Sequence, residues 1–430
     1  MREMDRPIKV VNVTSCLTGG GSGSATRRIN DCLNKNEIES SLFLARPEMK
    51  SLLCRGGVSA RARTIESKVR YKLSAAIASC FSRRDGIARS LAVLPSFRVR
   101  ELNQLDADII NIHWTQGGFL SIRDIGLIQK PIVWTLHDSW LFCGAEHHPD
   151  YIVSRRYKHG YNIKETEEQE QVLVDIDRWC WNRKRKYLQN IGHIVAPSEW
   201  MHAKATEANL LKGKAIYRIP HPIDKSSFFK EDKVESRKEL NLPVGKQLIL
   251  FGGANPWKDR NKGWDLFVDS LVSSSLDRAR VAIVTFGAKS RSVYPIGGFE
   301  HISLPYIESE SRLRALYSSA DLLVVPSKVE SFGLVAAEAQ MCGLPAVGFQ
   351  GSGLSDVIED GKSGILLCRR TSSELASCIS MLLESQEFLE RLGAQSMISA
   401  QAKWSYEVIG AEYREVFSTM LGSSKSMLSQ

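Results

Sequence analysis

Glu330 and Glu338 stand eight positions apart in Val325-Pro-Ser-Lys-Val-Glu-Ser-Phe-Gly-Leu-Val-Ala-Ala-Glu338, a segment that reads as a strand, a short loop and a helix beginning near Ser331. A helix start at a strand's end offers unpaired backbone N–H groups and a positive dipole end, which favour a phosphate or diphosphate. Gly333 would let such a group approach the backbone closely. Eight helical positions turn through about 800°, which predicts the two carboxylates near one face, roughly two turns apart. One would hold the hydroxyls of a sugar and the other a ribose. A capping glutamate followed by an unrelated surface glutamate would produce the same spacing.

Three further places bear chemistry. Lys258-Asp259-Arg260-Asn261-Lys262-Gly263 follows the first strand of the carboxyl half. A cation there can neutralise the charge growing on a departing diphosphate, although a solvated basic loop has the same composition. Thr135-Leu136-His137-Asp138-Ser139 ends a strand in the first half, and His113 ends a neighbouring one. A histidine at a strand's carboxyl end is a candidate for proton or hydrogen-bond chemistry, against the alternative of a structural role. Gly19 to Gly23, with Gly20 and Gly21 at its centre, forms a glycine loop after the first strand. The G-x-G-x-x-G dinucleotide fingerprint fails there, because Ser24 and Thr26 occupy the third-glycine positions and the next strand ends near Arg46 rather than an acidic residue.

Metal chemistry is not indicated. Asp106-x-Asp108 stands at the start of a strand, and Asp175-x-Asp177 falls in a charged helical stretch. Cys143, His147, His148, His159 and Cys180 have irregular spacings for a zinc site.

These residues need a scaffold that brings strand ends together. β-branched runs at Ile8 to Val13, Ser41 to Ala45, Asp108 to His113, Ile132 to Leu136 and His193 to Ala196 alternate with helical stretches long enough for parallel crossovers. A second alternation follows at Leu248 to Phe251, Val281 to Phe286, Leu322 to Val325, Ala346 to Phe349 and Ile365 to Leu367. The pattern predicts two α/β domains, 1–222 and 246–405, joined by a charged linker at 223–245. A final helix at 406–430 would pack on either of them. In open parallel sheets ligands lie outside the carboxyl ends of the strands, where all four candidate places fall.

The chain has 430 residues, 43% hydrophobic and 24% charged, enough for two cores. It has no apolar run long enough to span a bilayer. The first thirteen residues lack the apolar core of a signal peptide, so a cytoplasmic protein with nine reduced cysteines is expected. Residues 50–100 hold twelve Lys or Arg against Glu66 and Asp85, which accounts for the net charge of +9. Within them Ile65, Val69, Leu73, Ile77 and Phe81 recur every four positions beside Arg61, Arg63, Lys68, Arg70, Lys72, Arg83 and Arg84. This basic amphipathic helix suits packing on its own domain, the surface of an anionic membrane, or a nucleic-acid patch. No nucleic-acid motif accompanies it, and no nucleic-acid partner is expected.

The 330–338 segment resembles the E-x7-E signature of glycosyltransferase family 4. The likeness extends upstream through Leu316-Tyr-Ser-Ser-Ala-Asp-Leu-Leu-Val-Val-Pro-Ser327 and downstream through Cys342-Gly-Leu-Pro-Ala-Val347 as far as Gly364, about fifty residues in all. The resemblance implies two facing Rossmann-like domains of the GT-B architecture with the site in the cleft between them. It implies that Glu330 contacts the donor sugar, Glu338 the ribose, and the amides of Ser331, Phe332, Gly333 and Leu334 the phosphates. Lys262 matches the family's lysine, and Arg260 or Lys258 stands in for its arginine, whose place Pro256 and Trp257 occupy. Gly20 and Gly21 would face the phosphates or acceptor, and His137 with Asp138 would line the transferred sugar and the acceptor. Two motifs depart from the family pattern: Ile219-Pro220-His221-Pro222-Ile223-Asp224 lacks the usual Asn-Gly, and Asp356 replaces a glutamate. The implied activity is retaining transfer of a hexose from a nucleoside-diphosphate sugar, without a metal or other cofactor. The expected acceptor is a hydroxyl of a lipid-linked oligosaccharide of a bacterial surface polysaccharide, at the inner face of the membrane. A nucleotide-sugar epimerase or hydrolase is the alternative within enzymes; a dinucleotide oxidoreductase and a silent lipid-surface binding protein are alternatives from other classes.

Overall fold

The computed structural model describes residues 6–18, 20–45, 60–81, 86–151, 154–162, 174–253 and 256–428. The chain divides into two compact units. The first takes in most of the amino-terminal half as far as Ile219 together with the stretch from Gly410, and the second is built from Pro220–Ile409 with the short segment Thr18–Gly21.

In the first unit, β1 (Lys9–Thr14), β2 (Glu39–Leu44), β3 (Ile109–Ile112), β4 (Ile132–Thr135), β5 (Ile191–Ala196) and β6 (Ala215–Arg218) form a six-stranded sheet. Its order is β2-β1-β3-β4-β5-β6, and every pairing is parallel. Side chains alternate across a strand. Val11 and Val13, Ile110 and Ile112, Ile132 and Trp134 therefore enter one core, while Asn12, Asn111 and Thr135 turn to the other face, all fully buried. A buried polar group must find a partner, and these three find each other. Thr135 Oγ1 donates to Asn111 (2.9 Å) and Asn111 Nδ2 donates to Asn12 Oδ1 (3.0 Å). The hydroxyl of Tyr413, from the final helix Tyr406–Leu428, lies 3.4 Å from Thr135 Oγ1.

In the second unit, β7 (Gln247–Gly252), β8 (Val281–Ala288), β9 (Ser292–Ile296), β10 (Phe299–Pro305), β11 (Leu322–Val325), β12 (Ala346–Phe349) and β13 (Gly364–Leu367) run in the order β13-β12-β11-β7-β8-β10-β9. All pair in parallel except the edge strand β9, which is antiparallel to β10. Leu248 and Leu250 feed one layer of core, and Ile249 and Phe251 feed the layer on the opposite face.

Two expectations need correction. Residues 223–245 are not a free linker. Ile223, Phe228, Leu240 and Leu242 belong to the second core, and Arg237, on the helix Lys233–Glu239, is buried against Asp321 at 2.8 Å. The basic helix forms over Ala60–Ser79, but its apolar stripe is not its packed face. Ile65, Val69 and Leu73 are 63%, 58% and 49% exposed, and only Ile77 packs, against Leu91, Ala145, Ile176 and Cys180. Arg83 and Arg84 lie outside the described residues. Among the described residues no helix is long and apolar enough to cross a membrane.

Candidate functional site

The donor-side candidates of the second unit meet at the carboxyl ends of β7 and β11. After β7 the chain makes a 3-10 turn, Arg260–Lys262, and Gly263 then caps the helix Trp264–Ser273 in the left-handed region, φ +73°. A side chain at Gly263 would collide with the Pro326 carbonyl, so the turn lies directly against the strand end. Asn261 fastens it there: its side-chain amide donates to the Val329 carbonyl (2.7 Å) and accepts from the Val329 N–H (3.0 Å), while Lys328 N–H donates to the Asn261 carbonyl (2.7 Å). Lys262 Nζ is thereby carried to 2.7 Å from Glu330 Oε1. Burial opposes the ammonium charge, but the Glu330 carboxylate, its hydrogen bond and Asp259 outweigh that penalty and hold the Lys262 pKa above the ordinary lysine value. Lys262 thus stays cationic. Lys258 and Arg260 are exposed. Arg370, which sequence reading did not single out, donates to the Pro326 carbonyl and brings another cation to the same strand end.

The helix after β11 begins later than expected. It spans Leu334–Met341, with Gly333 as its N-cap at φ +104°. Ser331 and Phe332 are therefore loop residues, and Glu330 precedes the helix instead of sharing a face with Glu338. A β-carbon at Gly333 would stand 2.7 Å from Leu354 Cδ2, so both the backbone angle and the space demand glycine. The 330–333 loop is also seated from its far side, because Gly353 N–H donates to the Glu330 carbonyl at 2.7 Å. Glu338, 4% exposed, accepts a 2.6 Å hydrogen bond from the Tyr317 hydroxyl. Two carboxylates are thus held in different ways, one by an ammonium and one by a phenol.

In the first unit, β1, β3 and β4 bring Asn12, His113 and His137 into a chain. His113 Nε2 lies 3.0 Å from Asn12 Oδ1, and His113 Nδ1 lies 3.0 Å from His137 Nε2. The sense of this chain follows from its far end. Asn30 turns its amide nitrogen to the Asp31 carboxylate, which only accepts, and its oxygen to Asn12 Nδ2 and Ser40 Oγ. Asn12 Oδ1 is then an acceptor, and His113 Nε2–H donates to it. Burial lowers the His137 pKa to about 4, against a smaller opposing pull from Asp138, so the ring is neutral at physiological pH.

Asp138 is gripped on both oxygens. His147 Nδ1 lies 2.5 Å and Trp114 Nε1 3.3 Å from Oδ2, and Trp140 N–H donates to Oδ1 at 2.9 Å. His147 Nε2 meets Ser90 Oγ at 2.8 Å. Burial works against the charge on Asp138, but His147 and the other donors prevail and lower its pKa to about 2. His147 is therefore the partner of a carboxylate. Among the described residues no group of three or more His, Cys, Asp or Glu side chains is placed to hold a metal ion.

Gly20 and Gly21 stand in open space, and Gly21 begins the helix Gly21–Lys35. The glycine that packing requires is Gly23, where a β-carbon would come within 2.6 Å of the Leu17 carbonyl carbon. Gly19 lies outside the described residues. Sequence reading gave no role to Asn12, Trp114, Asn261 and Tyr317, and it weighed His147 only as a zinc ligand. A signal existed only for Asn12, a polar residue inside the otherwise apolar run Val10-Val11-Asn12-Val13.

Two family models match the chain: Glycosyltransferase Family 4 over residues 20–227, and Glycosyl transferases group 1 over residues 246–385. The chain is similar to D-inositol 3-phosphate glycosyltransferase of Segniliparus rotundus, with 28% identity over 234 residues, 50% of this chain and 51% of that protein. The matched stretch spans about half the length of such curated relatives. Among solved structures, sucrose-phosphate synthase from Thermosynechococcus elongatus matches with a TM-score of 0.65 at 17% identity, covering 96% of this chain and all of that one. Anabaena HepE, solved in complex with UDP-glucose, matches with a TM-score of 0.61 at 16% identity, again over 96% of this chain and all of that one. With these two domain matches carried on two parallel-sheet α/β domains, the chain belongs to the family 4 type of glycosyltransferase, with the GT-B class of fold.

Proposed function

We propose that the protein transfers a hexose from a nucleoside-diphosphate sugar to a hydroxyl of a lipid-linked oligosaccharide, with retention at the anomeric carbon, in the assembly of a bacterial surface polysaccharide at the inner face of the membrane. The observation that carries the reading is the 2.7 Å pair of Lys262 and Glu330 at the ends of β7 and β11, beside a glycine-capped helix start. A diphosphate leaving group needs a cation that is already charged and N–H groups already oriented. Lys262 supplies the first and the loop from Ser331 to Leu334 the second. Glu330 would take the sugar hydroxyls and Glu338 the ribose, with Tyr317 holding Glu338 in place. His137, neutral, and Asp138, ionised, would serve the acceptor side. The UDP-glucose complex of HepE, a protein of the same fold, supports a nucleotide-sugar donor. No metal or other cofactor is assigned to the reaction.

The test is a thermal-shift panel of UDP, GDP, ADP and NAD on the wild type and on Glu338→Ala, because a ligand of the folded state raises the melting temperature. Stabilisation by one nucleoside diphosphate, weakened in the variant, supports the reading. Stabilisation by NAD alone, or by nothing, defeats it. With the matching donor sugar, turnover that needs an acceptor and keeps the anomeric configuration supports transfer. Release of free sugar or of an epimer without an acceptor would show the hydrolase or epimerase instead.

A further inference from the structure

The 60–79 helix is amphipathic in an unusual sense, because its polar side is the one packed on the protein. Arg63 pairs with Glu101 (3.2 Å), and Glu66 is held by Arg98 (3.1 Å). The Arg70 guanidinium donates to the carbonyls of Gly118 (2.7 Å), Pro95 (2.8 Å) and Leu94 (3.0 Å). These bonds set the rotation of the helix about its axis. Glu66 is the helix's one acidic residue, so the outward side carries none.

At roughly 100° per residue, Ile65, Lys68, Val69, Lys72, Leu73, Ala75 and Ala76 fall in one arc of about 160°, and all of them are exposed. Phe97, directly before the Arg98 that holds Glu66, is 92% exposed. Scattered apolar residues on a surface are ordinary, but a row at positions i, i+4 and i+8 interleaved with lysines is a continuous strip. Lysine stems lie along apolar surface and carry their charges to its edge, at the level where lipid phosphates sit above acyl chains. A nucleic acid would use the lysines and leave the Ile-Val-Leu row in water.

We propose that this face is a docking surface for an anionic lipid bilayer, with Ile65, Val69 and Leu73 entering the headgroup boundary and Lys68 and Lys72 meeting lipid phosphates. The inference deepens the proposed function, since it says how an enzyme without a spanning helix among its described residues would meet a lipid-linked acceptor. Packing ties the face to the site. The Gly117–Gly118 turn after β3 lies under the helix so tightly that a β-carbon at Gly118 would come within 2.6 Å of the Arg70 carbonyl, and only Thr115 and Gln116 separate it from His113 and Trp114.

The experiment is co-sedimentation of the full chain with vesicles of phosphatidylglycerol and phosphatidylethanolamine, and with phosphatidylcholine vesicles, at low and high salt. The wild type is expected to partition onto the anionic vesicles only, and less so in high salt. Lys68→Ala/Lys72→Ala is expected to lower partitioning about thirtyfold, the equivalent of about 1 kcal/mol per cation at an anionic surface. Ile65→Ser/Val69→Ser/Leu73→Ser is expected to abolish it. Both variants should keep the wild-type circular dichroism and melting temperature, because every changed side chain is exposed. Equal binding to phosphatidylcholine, wild-type binding by either variant, or no binding by the wild type overturns the proposal. So does light scattering that shows a dimer which the serine variant turns into a monomer, since the face would then be a contact between copies. The nucleotide thermal shift is read on the same samples. Its survival when vesicle binding fails would sink the docking surface and leave the transferase reading standing.

Discussion

Replacing Gly333 by alanine tests whether the loop before the 334–341 helix is built around a backbone that only glycine adopts. Gly333 has φ +104° and ψ +51°, a conformation that costs an ordinary L-residue about 1–2 kcal/mol. The new methyl would also stand 2.7 Å from Leu354 Cδ2. Leu354 is buried, and making room in a packed core costs about 1–3 kcal/mol. Together the substitution should destabilise the second unit by roughly 2–5 kcal/mol, and its melting transition should fall by on the order of 10 °C. Gly351→Ala is the internal control. Gly351 also has positive φ, +89°, but nothing lies within 4 Å of its β-carbon position, so only the backbone term remains and the fall should be less than half as large. Differential scanning fluorimetry with and without UDP reads both consequences, because a displaced 330–333 loop should also lose its stabilisation by nucleotide. A Gly333→Ala protein that melts within about 1 °C of wild type and keeps its UDP shift would refute the reasoning. So would equal losses in the two variants, which would leave the Leu354 contact without effect.

Lys262→Met should lower kcat about 100-fold or more, as loss of a group that stabilises a developing anion does, and Lys262→Arg should recover part of it; steady-state turnover with the donor identified by thermal shift checks this. Asp138 has a depressed pKa, so its stabilising contribution is present above about pH 4 and is lost as pH falls through about 2. His147→Asn removes the partner at 2.5 Å and should move the acid-unfolding midpoint, followed by circular dichroism, to higher pH. His137, lowered to about 4, stays uncharged while an unfolded histidine gains a proton, so it costs stability as pH falls below about 6.5. Nitrogen-15 spectra of the histidine rings should show no titration of His137 between about pH 5.5 and 8; a midpoint in that range would contradict the burial argument. Tyr317→Phe takes a 2.6 Å donor from a buried carboxylate, and calorimetry should show nucleotide affinity reduced about tenfold, since a hydrogen bond to a charged group contributes about 1.5–3 kcal/mol.

The strands at the centres of both sheets were legible in the amino-acid order alone, because a parallel strand buried on both faces must be written as a run of β-branched and apolar residues. Three strands carry no such signature: Tyr217 and Arg218 in the edge strand β6, exposed Ser292 to Pro295 in the edge strand β9, and His301 and Pro305 in its neighbour β10 break the apolar run. Charge misled in two places. Residues 223–245 read as a linker because Arg237 looks solvated until Asp321, 84 positions away, buries and neutralises it. The 60–79 helix was visible from its period, but its outward side was not, since that depends on Glu101, Arg98 and the Gly118 carbonyl.

By itself the sequence determined that Glu330, Lys262, His137 and Asp138 stand in the segments that follow strand ends and that Glu338 lies on the helix after one of them, because the alternation of strand and helix places them there whatever their partners. Only the tertiary structure decided the pairings. Lys262 meets Glu330, His137 meets His113 and then Asn12, Asp138 meets His147, and Tyr317 meets Glu338. Hydrogen bonds of about 3 Å select among side chains brought together by sheet order and loop closure, and residue spacing along the chain does not encode distances of that size.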